Sequence, residues 1–246
     1  MNLTIIVPAH NEEALIGNIL DAVASKVSVD IIHEILVVND HSTDNTEMFI
    51  QDKMREYPIF NIRSISNDTS PGFANALKRG IKEATGDLIV YLMADGCDRI
   101  DDINIMFNRI KEENLDIISA SRYSDKGERK GGSVLKGFFS RFVGVSLNSI
   151  INIPTKDCSN AFKMYRKKIL NNITLNSNGF EISMELCVKA YLLGYKINEI
   201  STVWHEREKG SSDFKMLKES SGYIKLYFWT IFKYFNKVIY GKITKL

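Results

Sequence analysis

The sequence is poor in the residues that build covalent or metal-stapled scaffolds. Its three cysteines, Cys97, Cys158 and Cys187, are far apart and show no CxxC or CxxH spacing. A disulfide framework or a structural zinc site is not expected, and a reducing cytosol is the simplest setting. Charge of one sign is also scarce: 32 Lys and Arg stand against 30 Asp and Glu, a net of +2 over 246 residues. So even a balance argues against nucleic acid as a partner, since such binders concentrate basic surface. No stretch reaches the roughly 18–20 uncharged apolar residues that span a bilayer. The nearest, residues 223–240, is interrupted by Lys225, Lys233 and Lys237. The apolar run 3–7 has no basic flank and is too short for a secretory h-region, so it reads as a buried strand ending at Pro8. Internal repeats, low-complexity tracts and an early Gly-rich loop ending in lysine are absent too, and the last of these disfavours a nucleotidyltransferase.

What is present is alternation. Apolar runs at 3–7, 34–38, 61–66, 87–93 and 116–120 read as strands. Between them, residues 12–25, 42–56, 72–85 and 100–113 carry apolar positions at helical spacing. The order predicts an α/β fold with a mostly parallel sheet and helices on both faces. Further on, residues 123–137 read as a mobile loop rich in Gly, Lys, Ser and Arg, and helices follow over 137–151 and 182–193. In such sheets ligands bind beyond the carboxyl ends of the strands. The polar clusters fall there: His10-Asn11-Glu12, Asn39-Asp40, Asp95-Gly96-Cys97-Asp98 and Ser121-Arg122.

Two of these clusters point to chemistry. Asp95 and Asp98 close the most apolar strand, and carboxylates in such a turn can hold a divalent cation that also grips a diphosphate. The competing reading is that they only end the strand and cap the next helix. Asn39-Asp40 ends the second strand, where an acid can accept from a base or a ribose, or where Ser42 to Asp44 can cap a helix with no ligand involved.

The order of the pieces is more specific than any one of them. TIIVPAHNEE, VVNDHSTDNT, SPGFANALKRGIKEATGD, LIVYLMADGCDRIDDI, ISASRY, KDCSNAFKMYRKKIL, GFEISMEL and ISTVWHEREKGSS resemble, in sequence, the segments of glycosyltransferase family 2. Within that family the chain looks most like the dolichol-phosphate mannose synthase and polyprenyl-phosphate glycosyltransferase branch. The resemblance covers about residues 1–215 and implies a GT-A domain there, with residues 216–246 as an amphipathic helical extension.

The resemblance also implies roles. Pro8, Ala9, Asn11 and Glu12 would line the nucleotide pocket, and Asp40 with Asn39 would contact the base or ribose. Asp95 matches the last aspartate of the family's Asp-x-Asp motif and Ala94 its middle position, while Met93 replaces the first aspartate. A Mg2+ or Mn2+ ion would then rest on Asp95, with Asp98 as second ligand. Cys97 stands where some relatives place another ligand, but a thiol suits a hard cation poorly. Arg122, Lys136 and Ser140 match the contacts to an acceptor phosphate, a task suited to cationic donors. Arg207 matches a contact to the donor diphosphate, and its segment keeps Gly210 and Ser212 but has Asp213 where lysine is common. Residues 157–163 match a stretch that shapes the sugar pocket, with Ala161 and Lys163 for the usual Gly and Arg. Asp95, Arg122 and Arg207 are therefore the expected catalytic set. His205 reads as a packing residue more readily than a catalyst.

The activity implied is inverting transfer of a sugar from a GDP- or UDP-sugar to a polyprenyl phosphate. Two alternatives stand beside it: a family 2 enzyme acting on a hydroxyl acceptor, with Glu181 or Glu185 as base, and a non-catalytic nucleotide-sugar-binding scaffold. The tail adds a separate clue. Eight aromatics lie between Tyr223 and Tyr240, with lysines at 225, 233, 237, 242 and 245 and no acid after Lys225. Aromatics and lysines on one amphipathic helix favour a peripheral position on an anionic membrane, here its cytoplasmic face. The same segment could instead pack on the domain, join a homo-oligomer or hold a membrane-protein partner.

Overall fold

The computed structural model describes residues 1–207 and 216–240. Nine short strands and eight α-helices follow in the order β1 (Leu3–Ala9), α1 (Ile16–Lys26), β2 (Ile32–Asn39), α2 (Thr46–Glu56), β3 (Ile62–Ser66), α3 (Phe73–Glu83), β4 (Leu88–Tyr91), α4 (Asp102–Glu112), β5 (Ile117–Ser121), β6 (Glu128–Lys130), α5 (Val134–Ile151), β7 (Lys163–Arg166), α6 (Lys167–Leu170), α7 (Ile182–Leu192), β8 (Ile197–Ser201), β9 (Val203–His205) and α8 (Met216–Tyr240), among the described residues. The main sheet runs β3-β2-β1-β4-β7-β5-β8, and all neighbours are parallel except β7, which is antiparallel to β4 and β5.

Every residue of β1 is buried, as a central strand covered on both faces requires. One face packs on α1, α2 and α4 through Leu20, Ile50 and Met106; the other packs on α3, α5 and α7 through Leu77, Leu147 and Leu186. Pro8 sits inside this central strand, where its missing N–H would normally break a ladder. The break is placed where it costs little. Ile6, two residues earlier and so on the same side, gives its carbonyl to Leu92 N. Beyond that point β4 no longer pairs with β1, while β2 still does, through Pro8 and Ala9. The two strands therefore part at Pro8, and the crevice opens at the point where the strand order reverses, as is usual for ligand sites in open α/β sheets.

Three expectations are revised. The segment 123–137 is not one loop: it contains β6, which pairs in parallel with β9, and the first turn of α5. That helix begins at Val134 because Ser133 caps it, accepting from Lys136 N at 3.4 Å. The first helix begins at Ile16, leaving residues 12–15 in the site turn. Strand β7 had no apolar period to reveal it, since its four residues are Lys-Met-Tyr-Arg.

Helix α5 is held against the turn at 156–157 by a close backbone approach. A Cβ on Gly144 would lie 2.0 Å from the carbonyl oxygen of Lys156. Gly144→Ala should therefore lose about 1–3 kcal/mol through overpacking, more than the roughly 1 kcal/mol that alanine gains in helix propensity. A lower urea midpoint with an unchanged slope is the expected result, and an unchanged midpoint would show that the helix slides away at no cost.

Candidate active site

The site is built from turns at the carboxyl ends of β1, β2, β4 and β5. The β1–α1 and β2–α2 turns are joined side by side. Asn11 N donates to Ser42 Oγ at 3.1 Å, Thr43 N to Asn11 Oδ1 at 2.8 Å, Glu12 N to Thr46 Oγ1 at 2.8 Å and Asn45 N to Glu13 Oε2 at 3.0 Å. Asn11 and His41 adopt left-handed backbone, φ 51° and 57°, which Asn accepts readily and His less so. Asp40 is 5% exposed. Its oxygens accept from Asn67 Nδ2 at 2.7 Å and Gly72 N at 2.8 Å, so it also anchors the loop before α3. Asn39 bonds Glu47 and Ser42 N. The residues expected at the nucleotide pocket thus meet in one place, and much of their polarity is spent in holding the two turns together.

At the end of β4, Gly96 turns the chain with φ 73°. Asp95 is half-buried, and its Oδ1 accepts from Cys97 N at 3.1 Å. Burial, then the charge of Asp95, pushes the Asp98 carboxyl up to about 8. Burial and the same two carboxylates push the Cys97 thiol well up, so it stays neutral. A neutral thiol is a poor ligand for a hard cation. Two crowded carboxylates are a good fit, because a divalent ion relieves their repulsion and needs only one or two carboxylates beside phosphate oxygens and water. No cluster of three or more His, Cys, Asp or Glu side chains poised for a metal occurs among the described residues. Asp95 borders a half-open cavity of about 540 Å³ whose walls include Leu15, Ile19, Lys130, His205 and Glu206.

Arg122 and Ser140, 18 residues apart, meet directly: Nη2 donates to Ser140 Oγ at 3.0 Å. Arg122 is held by Asp157, which is fully buried, through Nε at 2.7 Å, Nη2 at 2.9 Å and its backbone N at 3.0 Å. The Asp157 charge holds the guanidinium firmly protonated against its own burial. Lys136 is half-buried one helical turn before Ser140. Behind Asp157, fully buried Lys163 donates to the carbonyls of Cys158 and Asn160, and burial lowers its pKa. The sequence named Asp157 and Lys163 only for the sugar pocket. Their place behind Arg122 had no local signal, because 35 residues separate Arg122 from Asp157.

Arg207 reaches across the chain to Glu12, its Nη2 lying 3.0 and 3.1 Å from the two carboxylate oxygens. The two residues before it are tied down as well. His205 N donates to Cys97 O at 3.1 Å, and Glu206 N to Lys130 O at 2.9 Å. Gly132 N donates to Glu206 Oε2 at 2.9 Å, and Arg129 stacks over the Trp204 ring. The expected Gly210, Ser212 and Asp213 lie outside the described residues, as do the boundary at 215 and Lys242 and Lys245.

Glu185 is buried and paired with Lys189 at 2.7 Å, and it accepts from the backbone N of Asn176 and Ser177. These bonds outweigh burial and lower its pKa, which commits it to holding the 171–181 loop. Glu181 precedes α7 and packs against Gly222 of α8.

Helix α8 lies on α5 and α7. Tyr227 Oη donates to Ser146 Oγ at 3.0 Å, and Tyr234 stacks on Tyr191. Lys237 donates to Leu192 O at the end of α7, and Lys233 lies over the Trp229 ring, so two of the tail lysines serve the fold itself. Outward, Phe228 and Phe232 are each 64% exposed, and on α5 Phe138 is also 64% exposed beside Phe139 and Phe142. By length and composition alone, α5 is the one helix among the described residues that is long and apolar enough to cross a membrane.

Comparison with known proteins fits this architecture. A dolichyl-phosphate beta-glucosyltransferase of Trichomonas vaginalis is 26% identical over 241 residues, covering 91% of this chain and 72% of the relative. A dolichol-phosphate mannosyltransferase of Pyrococcus furiosus is 29% identical over 219 residues, covering 87% of this chain but 60% of the relative, so the chain spans only part of that protein's length. Among solved structures, the glucosyl-3-phosphoglycerate synthase of Mycobacterium tuberculosis, in complex with Mn2+, UDP-glucose and phosphoglyceric acid, superposes with a TM-score of 0.70 at 15% identity, covering 94% of this chain and 79% of that one. The same enzyme in complex with Mg2+ and UDP gives 0.66 at 16% identity, covering 95% and 79%. These likenesses establish the GT-A fold. The model of glycosyl transferase family 2 matches residues 4–174, and the chain belongs to that family of glycosyltransferases.

Proposed function

We propose that the protein transfers a sugar from a nucleotide-sugar donor to a polyprenyl phosphate at the cytoplasmic face of a membrane. The observation that carries this reading is the Arg122–Ser140 contact on α5, with Lys136 one turn away on the same helix. Cationic and hydroxyl donors suit a phosphate acceptor, and the outer face of that helix is aromatic, as a lipid-borne acceptor would require. The names of the curated relatives support the acceptor class. Residues 1–215 would form the transferase unit and 216–246 its membrane-facing extension.

The reaction would be a single in-line displacement. The acceptor phosphate oxygen, already an anion at neutral pH, attacks the anomeric carbon as the bond to the diphosphate breaks, and configuration inverts. Arg122, Lys136 and Ser140 orient the attacking phosphate. Arg207 stabilises the charge growing on the departing diphosphate. A bound Mg2+ or Mn2+, held by Asp95 with Asp98, would neutralise part of that same charge. Pro8, Ala9, Ala94, Asn11 and Glu12 with Asn39 and Asp40 would seat the nucleotide. No general base is needed. Glu185, one of the two candidate bases of the hydroxyl-acceptor alternative, is engaged with Lys189 and the loop before α7, which leaves that alternative only Glu181.

The test is a donor panel of GDP-mannose, UDP-glucose and UDP-N-acetylhexosamines with synthetic polyprenyl phosphate in anionic vesicles. Expected are nucleoside diphosphate release and a glycolipid product that EDTA abolishes and Mn2+ or Mg2+ restores, with protein co-sedimenting with the vesicles. Turnover only with saccharide acceptors would move the enzyme to hydroxyl chemistry. Donor binding with no turnover on any acceptor would make it a scaffold. Self-association without vesicle binding would assign the tail to a protein interface.

A further inference from the structure

Glu12 carries a negative charge into a pocket meant for an anionic diphosphate, and this calls for an explanation. Its backbone is fixed: its N–H is bonded to Thr46 Oγ1 at 2.8 Å, and its carbonyl accepts from Leu15 N at 3.0 Å and Ile16 N at 2.9 Å. Thr46 is itself fully buried. Glu12 is therefore a rigid post. Its carboxylate takes Arg207 by one nitrogen, Nη2, with both oxygens near 3 Å, at side-chain exposures of 18% and 19%. On the other side, the chain leading to Arg207 is tied to the β4 turn by His205 N and to β6 by Glu206 N. A contact between residues 195 positions apart thus joins the nucleotide turn to the segment that closes over the β4 turn.

We infer that Glu12 is a positioning residue for Arg207: it holds the guanidinium in place, by one nitrogen, before the donor arrives, so that the diphosphate meets an already ordered cation. The inference rests on the proposed role of Arg207 toward the diphosphate. An arginine side chain has many rotamers to lose, and a partner that orders it beforehand removes that cost from ligand binding. The half-buried setting keeps the pair from being screened as a surface pair would be.

The sign of one substitution decides the matter. If Glu12 merely competed with the diphosphate, Glu12→Gln would remove a repelling charge and tighten binding. If Glu12 positions Arg207, Glu12→Gln weakens binding although it removes that charge. The bond to Thr46 comes from the backbone, so the substitution leaves the turn intact. Mn2+-GDP and Mn2+-UDP are the probes, titrated by calorimetry against wild type, Glu12→Gln, Arg207→Gln and the double variant, with the tighter-binding nucleotide followed throughout. Expected for Glu12→Gln is a loss of roughly tenfold, the size of one charge-assisted hydrogen bond, which vanishes in the Arg207→Gln background. Equal or tighter binding by Glu12→Gln overturns the inference, and so does a loss that persists undiminished without Arg207. Arg207→Gln that binds both nucleotides like wild type would instead remove the donor role of Arg207, and that outcome is read without reference to Glu12.

Discussion

Asp95→Ala is expected to lower the rate of sugar transfer by at least about a thousandfold, the kinetic equivalent of the several kcal/mol that a cation on the leaving diphosphate supplies. The fold should barely register the change. Asp95 is half-buried, and among the described residues its carboxylate accepts from Cys97 N alone, a contact of about 1 kcal/mol. The measurement is single-turnover transfer with saturating Mn2+, paired with thermal unfolding with and without Mn2+ and nucleoside diphosphate. Wild type should gain midpoint temperature from the pair of ligands together, and Asp95→Ala should lose that gain. Met93, two residues before Asp95, brings no carboxylate to this turn, so the removal of Asp95 should be severe. Retained turnover in Asp95→Ala, with the loss appearing instead in Asp98→Asn, would shift the cation to Asp98.

Asp157→Asn should be the most destabilising single change around the site. Asp157 is fully buried and takes three hydrogen bonds from Arg122, whose side chain is 13% exposed. Without the carboxylate the guanidinium is left sequestered and uncompensated, which costs about 3–5 kcal/mol. In a chain of this length that corresponds to a fall on the order of 10 °C in midpoint temperature. The companion variant Arg122→Met with Asp157→Asn removes both charges and should recover much of the loss in urea unfolding. Turnover separates the roles: at a temperature where Asp157→Asn is folded, KM for polyprenyl phosphate should rise while nucleotide affinity holds. A stability change below about 1 kcal/mol would mean that water reaches Arg122 and replaces its partner.

These two residues differ in how visible they were. Asp95 announced itself, because it ends the most apolar run of the chain and is followed at once by Gly96, which the structure finds at positive φ. Asp157 carried no such mark. It lies in an irregular stretch, and what makes it matter is a partner on another strand end. Glu12 shows the same division. Its place at the end of β1 was legible, whereas its pairing with Arg207 depends on where β9 returns the chain. The tail divides likewise. Its amphipathic character could be read, but that Lys237 caps α7 while Phe228 and Phe232 stay exposed could not.

Taken alone, the sequence determined the alternation of β1 to β5 with α1 to α4, the turns at their carboxyl ends, and the polar residues those turns carry. Such features are written within a window of some ten residues, through apolar period, caps and turn chemistry. Only the tertiary structure decided that β7 enters antiparallel between β4 and β5, that β6 and β9 pair, that Asp157 neutralises Arg122, and that α8 packs on α5. Those outcomes depend on which distant segments the closing sheet brings together. A four-residue strand with charged ends, or a carboxylate 35 residues from its arginine, has no local period by which to declare itself.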